Sequence, residues 1–346
     1  SKAAVSSGVT TVCYMPDTQP VIDTPAQIKL VEEIFKDTNL CKVKVLASLT
    51  KGLEGSSLSP MAELKQAGAI ALTNCLNPIK DPLVLRRAME YATGQDITIF
   101  YQPQNNYLAN NGCVHEGKIS GKLGLPGIPS AAESVAVAEA ILLSKLTNSR
   151  LHLCRVSCLE SLMLIQNAQS EGLSVTSDVA IHQLFFDENS IDNFNSDYHV
   201  MPPFRSNEDL VALHQAVKKE TITAICSDHQ PHNEDAKQAP FSDTQPGISS
   251  IELLLPLLME LVELKIIDMS VAIAKVTSNP SEILGIDAGV IEKGLPADLC
   301  IIKKEAWLFD EAKILSSGKN NPFLGRKFNY LVDKTICDGK IVYEKK

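Results

Sequence analysis

Asp228 closes an apolar run, Ile222–Ser227, and is followed by His229 and then His232. A carboxylate at the end of a buried strand, with imidazoles beside it, can shuttle a proton or help to hold a metal ion. The plainer alternative is an aspartate that caps a turn. Other residues of ligand type stand near the ends of similar runs: His152 in Arg150–Ser157, His182 after Leu173–Val179, and Cys75 after Ala69–Asn74. Cys75 could ligate as a thiolate, although a buried structural thiol is the better reading. His115, His199 and His214 read as loop or helix-surface residues without a functional role.

The elements that must position these groups alternate. Strand candidates are Val9–Met15, Val43–Leu49, Ala69–Asn74, Thr98–Gln102, Arg150–Ser157, Leu173–Val179 and Ile222–Asp228. Helical patterns separate them: Pro25–Lys36, with Thr24 as N-cap and Pro25 at the first helical position, then Met61–Ala67, Leu83–Thr93, Glu133–Leu146, Leu159–Glu171 and Asn207–Lys218. This alternation predicts parallel strands with crossover helices. Seven units is one short of a closed (β/α)8 barrel. After Asp228 come apolar helical stretches, Ile251–Leu264 and Ala272–Leu284, the second broken at Asn279-Pro280. Short strands then follow at Gly289–Lys293, Asp298–Ile302, Lys334–Cys337 and Lys340–Glu344, with Asp338-Gly339 as a hairpin turn. The polar stretch His232–Gly247 reads as a mobile loop at a strand end.

Composition narrows the class. A chain of 346 residues, 45% of them hydrophobic, can bury a large core. A net charge of −9 argues against a nucleic-acid surface. No apolar run is long enough to span a membrane, and Ser1–Thr10 does not read as a signal peptide. The nine cysteines include no CxxC pair and read as reduced thiols of a cytosolic protein.

Several motifs, in order, are similar to those of one family. Ala3–Val12, running on to Met15-Pro16-Asp17-Thr18-Gln19-Pro20, resembles the second barrel unit of dihydroorotases, members of the amidohydrolase superfamily. Gly124–Pro129 with Glu133, Pro202-Pro203-Phe204-Arg205, Ser227–His232 and Asn321-Pro322-Phe323-Leu324-Gly325 look like four further family runs. Gly294–Leu299 is common across the superfamily. The resemblance implies a (β/α)8 TIM-like barrel with a small flanking β-sandwich: residues 1–288 as barrel and 289–346 as β module. In the family a sandwich segment and a first strand, bearing a His-x-His metal motif, precede the part matched by Ala3. No histidine occurs here before His115, so the sequence is expected to lack that first strand.

Dihydroorotases interconvert carbamoyl aspartate and dihydroorotate. Their metal polarises the ring carbonyl and lowers the pKa of bound water toward ~7. The resemblance gives Asp228 the role of proton-shuttling carboxylate and metal ligand, and His182 that of a ligand. Elsewhere the pattern departs. The family's Asp-Asp-Gly is here Asn74-Cys75-Leu76, and the second histidine of its His-x-x-His-x-Ser is Arg155, a cation that cannot ligate a metal. His152 then reads as a core residue of the strand. A family histidine after the fourth strand is replaced by Tyr101-Gln102-Pro103-Gln104. Of the substrate contacts, an asparagine has become Asp17 and another Met201, while Arg205 and His232 remain.

The resemblance and its departures together imply a non-catalytic dihydroorotase-like protein of pyrimidine biosynthesis. It would act as structural partner of an aspartate carbamoyltransferase catalytic chain, in an oligomer and without a cofactor. One alternative is an active zinc enzyme using His182 and Asp228. Another is a different cyclic amidase, such as an allantoinase or hydantoinase. Those use a carboxylated lysine, and Lys80 lies too far along the chain for that role. The Arg155 guanidinium is expected to reach the vacated metal space and pair bidentately with Asp228, or with Asp17 or Asp178.

Overall fold

Short apolar runs joined by amphipathic helices bury both faces of a sheet only if the helices cover it, which favours parallel strands. The computed structural model describes residues 1–191 and 193–345. Its strands are β1 (Thr11–Tyr14), β2 (Lys42–Ser48), β3 (Ala71–Thr73) and β4 (Thr98–Tyr101); then a two-residue pair, β5 (Val114–His115) and β6 (Gly127–Ile128); then β7 (Leu151–Leu153), β8 (Val175–Ala180) and β9 (Ala224–Cys226). Seven of them form one parallel sheet in the order β1-β2-β3-β4-β7-β8-β9. The first pair runs Thr11 against Lys42 through Tyr14 against Val45, so the two N-terminal strand candidates lie side by side. β5 and β6 pair separately within the long β4–β7 connection.

Between the strands lie the helices Pro25–Thr38, Met61–Ala67, Pro82–Gly94, Ser130–Thr147, Leu159–Ser170 and Asn207–Lys218. Thr24 caps the first in extended conformation, and its amide donates to Gln27 Oε1 at 3.0 Å. The helices and strands share one core that includes Ile28, Leu64, Leu72, Met89, Ile99, Leu153, Ile165 and Val179, all buried. No helix among the described residues is long and apolar enough to cross a membrane.

A second sheet closes the chain: β10 (Leu299–Leu308), β11 (Lys327–Cys337) and β12 (Lys340–Glu344), all antiparallel. It grips the start of the chain. Thr335 Oγ1 donates to the Val5 carbonyl at 2.6 Å, and Lys42 Nζ lies 2.7 Å from Asp298 and 2.8 Å from Asp338. Gly8, at φ 84°, is required there, since a Cβ would sit 2.3 Å from Cys300 Sγ.

The structure corrects several expectations. Gly289–Lys293 forms no strand, and a helix absent from the sequence reading spans Lys2–Ser6. The helical break falls at 275–277, before Ser278–Leu284, and Pro280 sits in that helix's first turn, where its missing N–H costs nothing. The stretch 232–247 is pinned rather than loose. Phe241 is buried with Cys113, Val114 and Ile191, and Lys237 Nζ donates to the Ser196 carbonyl at 3.0 Å.

Candidate functional site

Parallel strands present their C-terminal ends at one mouth, and there the ligand-type residues gather. Arg155 follows β7, His182 lies in the 3-10 turn Ile181–Leu184 after β8, and Asp228 follows β9. Arg155 Nη1 lies 2.8 Å from Asp228 Oδ1. The side chains are only 12% and 7% exposed, so the guanidinium does occupy the mouth. The contact is single rather than bidentate. Arg155 Nε donates instead to Gln102 Oε1 at 2.7 Å, and Asp228 Oδ1 also accepts from Gln230 Nε2 at 2.9 Å. The guanidinium thus braces two strand ends at once.

His182 is different. It is 1% exposed, its Nδ1 has no hydrogen-bond partner, and its Nε2 is 3.9 Å from Asp228 Oδ2, too far for a bond. Burial lowers its pKa to about 4, opposed by Asp228 and reinforced by Arg155, so the ring is neutral at pH 7.

A second polar layer lies below the mouth. Asp178, on β8, accepts from His152 Nε2 at 2.8 Å, from the Arg155 amide at 2.8 Å and from Cys226 Sγ at 3.3 Å. Burial opposes its ionisation, but the His152 contact, the Arg155 amide and the Arg155 charge outweigh that and hold its carboxyl below the ordinary range. His152 is 1% exposed on β7, and its Nδ1 lies 2.8 Å from Thr176 Oγ1.

The other candidates divide. Cys75 is buried, and burial followed by the neighbouring Asp17 raises its thiol to about 12. It is therefore protonated at pH 7. Asp17 itself is exposed. Asn74 braces the loops after β2 and β3, accepting from Thr50 Oγ1 at 2.7 Å and donating to the Asn77 carbonyl at 2.7 Å. Arg205 is buried among protein groups, donating to Ser157 Oγ at 3.0 Å and the Ile128 carbonyl at 2.8 Å, with Nη2 3.6 Å from Glu133. Glu133 in turn accepts from the Ser157 amide at 2.9 Å and from its hydroxyl. His232 is tied to its loop, with its amide on Asn320 Oδ1 at 2.8 Å and Nε2 2.9 Å from the Pro246 carbonyl. His199, expected at the surface, is 4% exposed, stacked on Phe241 and 2.7 Å from Thr244 Oγ1.

Three mouth residues share a backbone feature. Cys75, Arg155 and Asp228 have φ of 52°, 53° and 46°, the left-handed region that non-glycine residues seldom enter. Each follows a strand end, so each side chain is turned by a sharp change in chain direction.

The orphaned nitrogen of His182 is what a metal ligand would leave in an ion's absence. The remaining groups do not fit a divalent cation. Asp228 is already engaged by a guanidinium and an amide, and that permanent charge would repel the ion. His152, Cys154 and Asp178 have ligand atoms within 4.8 Å of one another, but both His152 nitrogens are committed and burial raises the Cys154 thiol well above its usual value. Sequence reasoning missed Gln102 and Gln230 as partners of the mouth. Their positions at strand ends were the available signal.

Comparison with known proteins bears on the fold and the family. Residues 1–161 match the family model described as Dihydro-orotase-like, and residues 263–343 match the Amidohydrolase family. A "Dihydroorotase-like protein" of Pseudomonas putida is 41% identical over 343 residues, covering 99% of this chain and 81% of that protein. A "Dihydroorotase" of Geotalea daltonii is 36% identical over 344 residues, with the same two coverages. Among solved structures, an L-hydantoinase (dihydropyrimidinase) from Arthrobacter aurescens superposes with a TM-score of 0.88 over 99% of this chain and 79% of its own, at 21% identity. The architecture is therefore that of an amidohydrolase barrel. Within that class the chain belongs to the dihydroorotase family.

Proposed function

We propose that this chain is a dihydroorotase-fold protein that does not hydrolyse cyclic amides. In this reading it serves pyrimidine biosynthesis by holding an aspartate carbamoyltransferase catalytic chain in a larger cytosolic assembly. The observation that carries the first half is the ion pair of Arg155 with Asp228. The family's shuttling carboxylate must be free to take a proton from the attacking water and pass it on. Here it is held by a guanidinium and an amide, and the neighbouring carboxylate, Asp178, is committed to His152, the Arg155 amide and Cys226. Asn74 is engaged with loop groups and Cys75 is a buried thiol.

The partner half rests on the family resemblance and on the names of relatives. The proteins at 41% and 39% identity are both called "Dihydroorotase-like protein", whereas those at 33–36% are called "Dihydroorotase". The nine cysteines are all free among the described residues, which suits a reducing compartment.

The test joins metal analysis, turnover and co-purification on the natural full-length protein. Substoichiometric zinc, no turnover of dihydroorotate with added zinc, and one gel-filtration peak with the carbamoyltransferase chain are expected. Zinc-dependent turnover, or two separate peaks at micromolar concentration, would overturn the corresponding half.

A further inference from the structure

Outside the sheet, between the end of β4 and the helix Ser130–Thr147, lies a cleft of about 140 Å³ that has no part in the mouth. A space that size holds several waters or one small organic molecule. Its floor carries Tyr101, 5% exposed, whose phenol has no hydrogen-bond partner among the described residues. Its wall carries Glu139, half-buried, whose carboxylate has neither an ion pair nor a hydrogen bond among those residues. At the rim stands Lys80, exposed and not paired with Glu139. Gln104 and Asn106 supply amides, bonded to each other at 3.1 Å.

Neither polar atom is sealed off: both reach the water of the cleft, and Glu139 is partly withdrawn from solvent without a protein partner. A partly desolvated carboxylate gains from a cationic partner. Burial does raise the Glu139 carboxyl above its ordinary range. Burial, then the Glu139 charge, also raises the Tyr101 phenol. A cation and an anion thus line one cleft more than a contact distance apart, with a buried phenol beside the anion.

We propose that the cleft binds a small zwitterion, a free α-amino acid with a short side chain. Its ammonium meets Glu139 and the Tyr101 oxygen, and its carboxylate meets Lys80. Such a ligand supplies each charge with the partner that the protein withholds. A simple amine would leave Lys80 unpaired, and a simple acid would leave Glu139 unpaired. The site does not depend on whether the mouth is catalytic. It is nevertheless mechanically close to it: Gln102, the next residue along the strand from Tyr101, is the one that holds Arg155.

The experiment is calorimetric titration of the full chain with L-alanine, ethylammonium and propionate. Saturable binding of L-alanine is expected, with each half-ligand weaker by at least about tenfold, the loss that follows removal of one charged hydrogen bond. Glu139→Gln should weaken L-alanine by a similar factor while leaving the unfolding midpoint unchanged or higher. Lys80→Met should weaken L-alanine but not ethylammonium. No heat from L-alanine at millimolar concentration, equal affinity for ethylammonium, or unchanged affinity in folded Glu139→Gln would each overturn the proposal.

Discussion

Among the described residues two buried arginine–carboxylate pairs stand out, and they are built differently. Glu133 and Arg205 are 2% and 3% exposed, and both side chains are held on several sides: Ser157 and Cys158 amides on the carboxylate, Ser157 Oγ and the Ile128 carbonyl on the guanidinium. Arg155 and Asp228 are bonded through one oxygen, beside a histidine whose Nδ1 finds no partner. Support on several sides marks a bracket that specifies the fold. Partial satisfaction beside an orphaned imidazole leaves this pair less tightly specified by its surroundings.

That contrast can be broken by measurement. The largest effect should come from Glu133→Ala, which strands a buried guanidinium and removes the acceptor of two amides. A loss of roughly 5 kcal/mol in denaturant unfolding is expected. A loss no greater than that of Arg155→Ala would mean that the two pairs are equivalent. Arg155→Ala should cost less, about 3 kcal/mol, because Gln230 continues to donate to Asp228. The doubly neutral Arg155→Met with Asp228→Leu should return to within about 1 kcal/mol of the parent, since well-packed apolar residues replace buried ions without penalty. If Arg155→Ala changes stability by less than about 0.5 kcal/mol, the guanidinium is not standing in for a metal. If the proposed reading holds, Arg155→His alone gives no turnover of dihydroorotate, because Asn74-Cys75-Leu76 still offers no carboxylate.

The smallest effect concerns pH. His182 and His199 both have pKa values lowered to about 4, chiefly by burial, against about 6.5 in an unfolded chain. Between those values the unfolded state binds protons that the folded state refuses. Stability therefore falls as pH drops from 6.5 toward 4. Replacing His182 by Phe should remove roughly 2 kcal/mol of that decline, read as the difference in unfolding free energy between pH 7 and pH 4.5. An identical slope in the variant would place its pKa near the ordinary value.

Much of the fold could be read from local pattern. Runs such as Val43–Leu49 and Leu173–Val179 carry valine at alternate positions between helical patterns, and their strands fall within a few residues of the reading. β10 extends to Leu308 through Lys303, Lys304 and Glu305, which are exposed, so no alternation announces it. The site was legible only as a list of residues at strand ends. Their pairing was not, because it depends on contacts between residues 73 positions apart, as for Arg155 and Asp228. The same holds for His199, whose burial depends on Phe241 arriving from another loop, and for Arg205, whose substrate-like motif hides a structural bracket.

The left-handed turns at Cys75, Arg155 and Asp228 carry a consequence for descent and for repair. A non-glycine residue there is held against its own preference by roughly 1–2 kcal/mol, and nothing in a thiol or a guanidinium calls for that posture. The turn in the backbone, more than the side chain it carries, sets where each position points. Side chains can be exchanged one codon at a time, but a chain reversal at a strand end is anchored by the whole barrel and resists piecemeal loss. A designer wishing to install new chemistry in this mouth would therefore inherit three directed positions ready for use and would need to rewrite letters rather than loops.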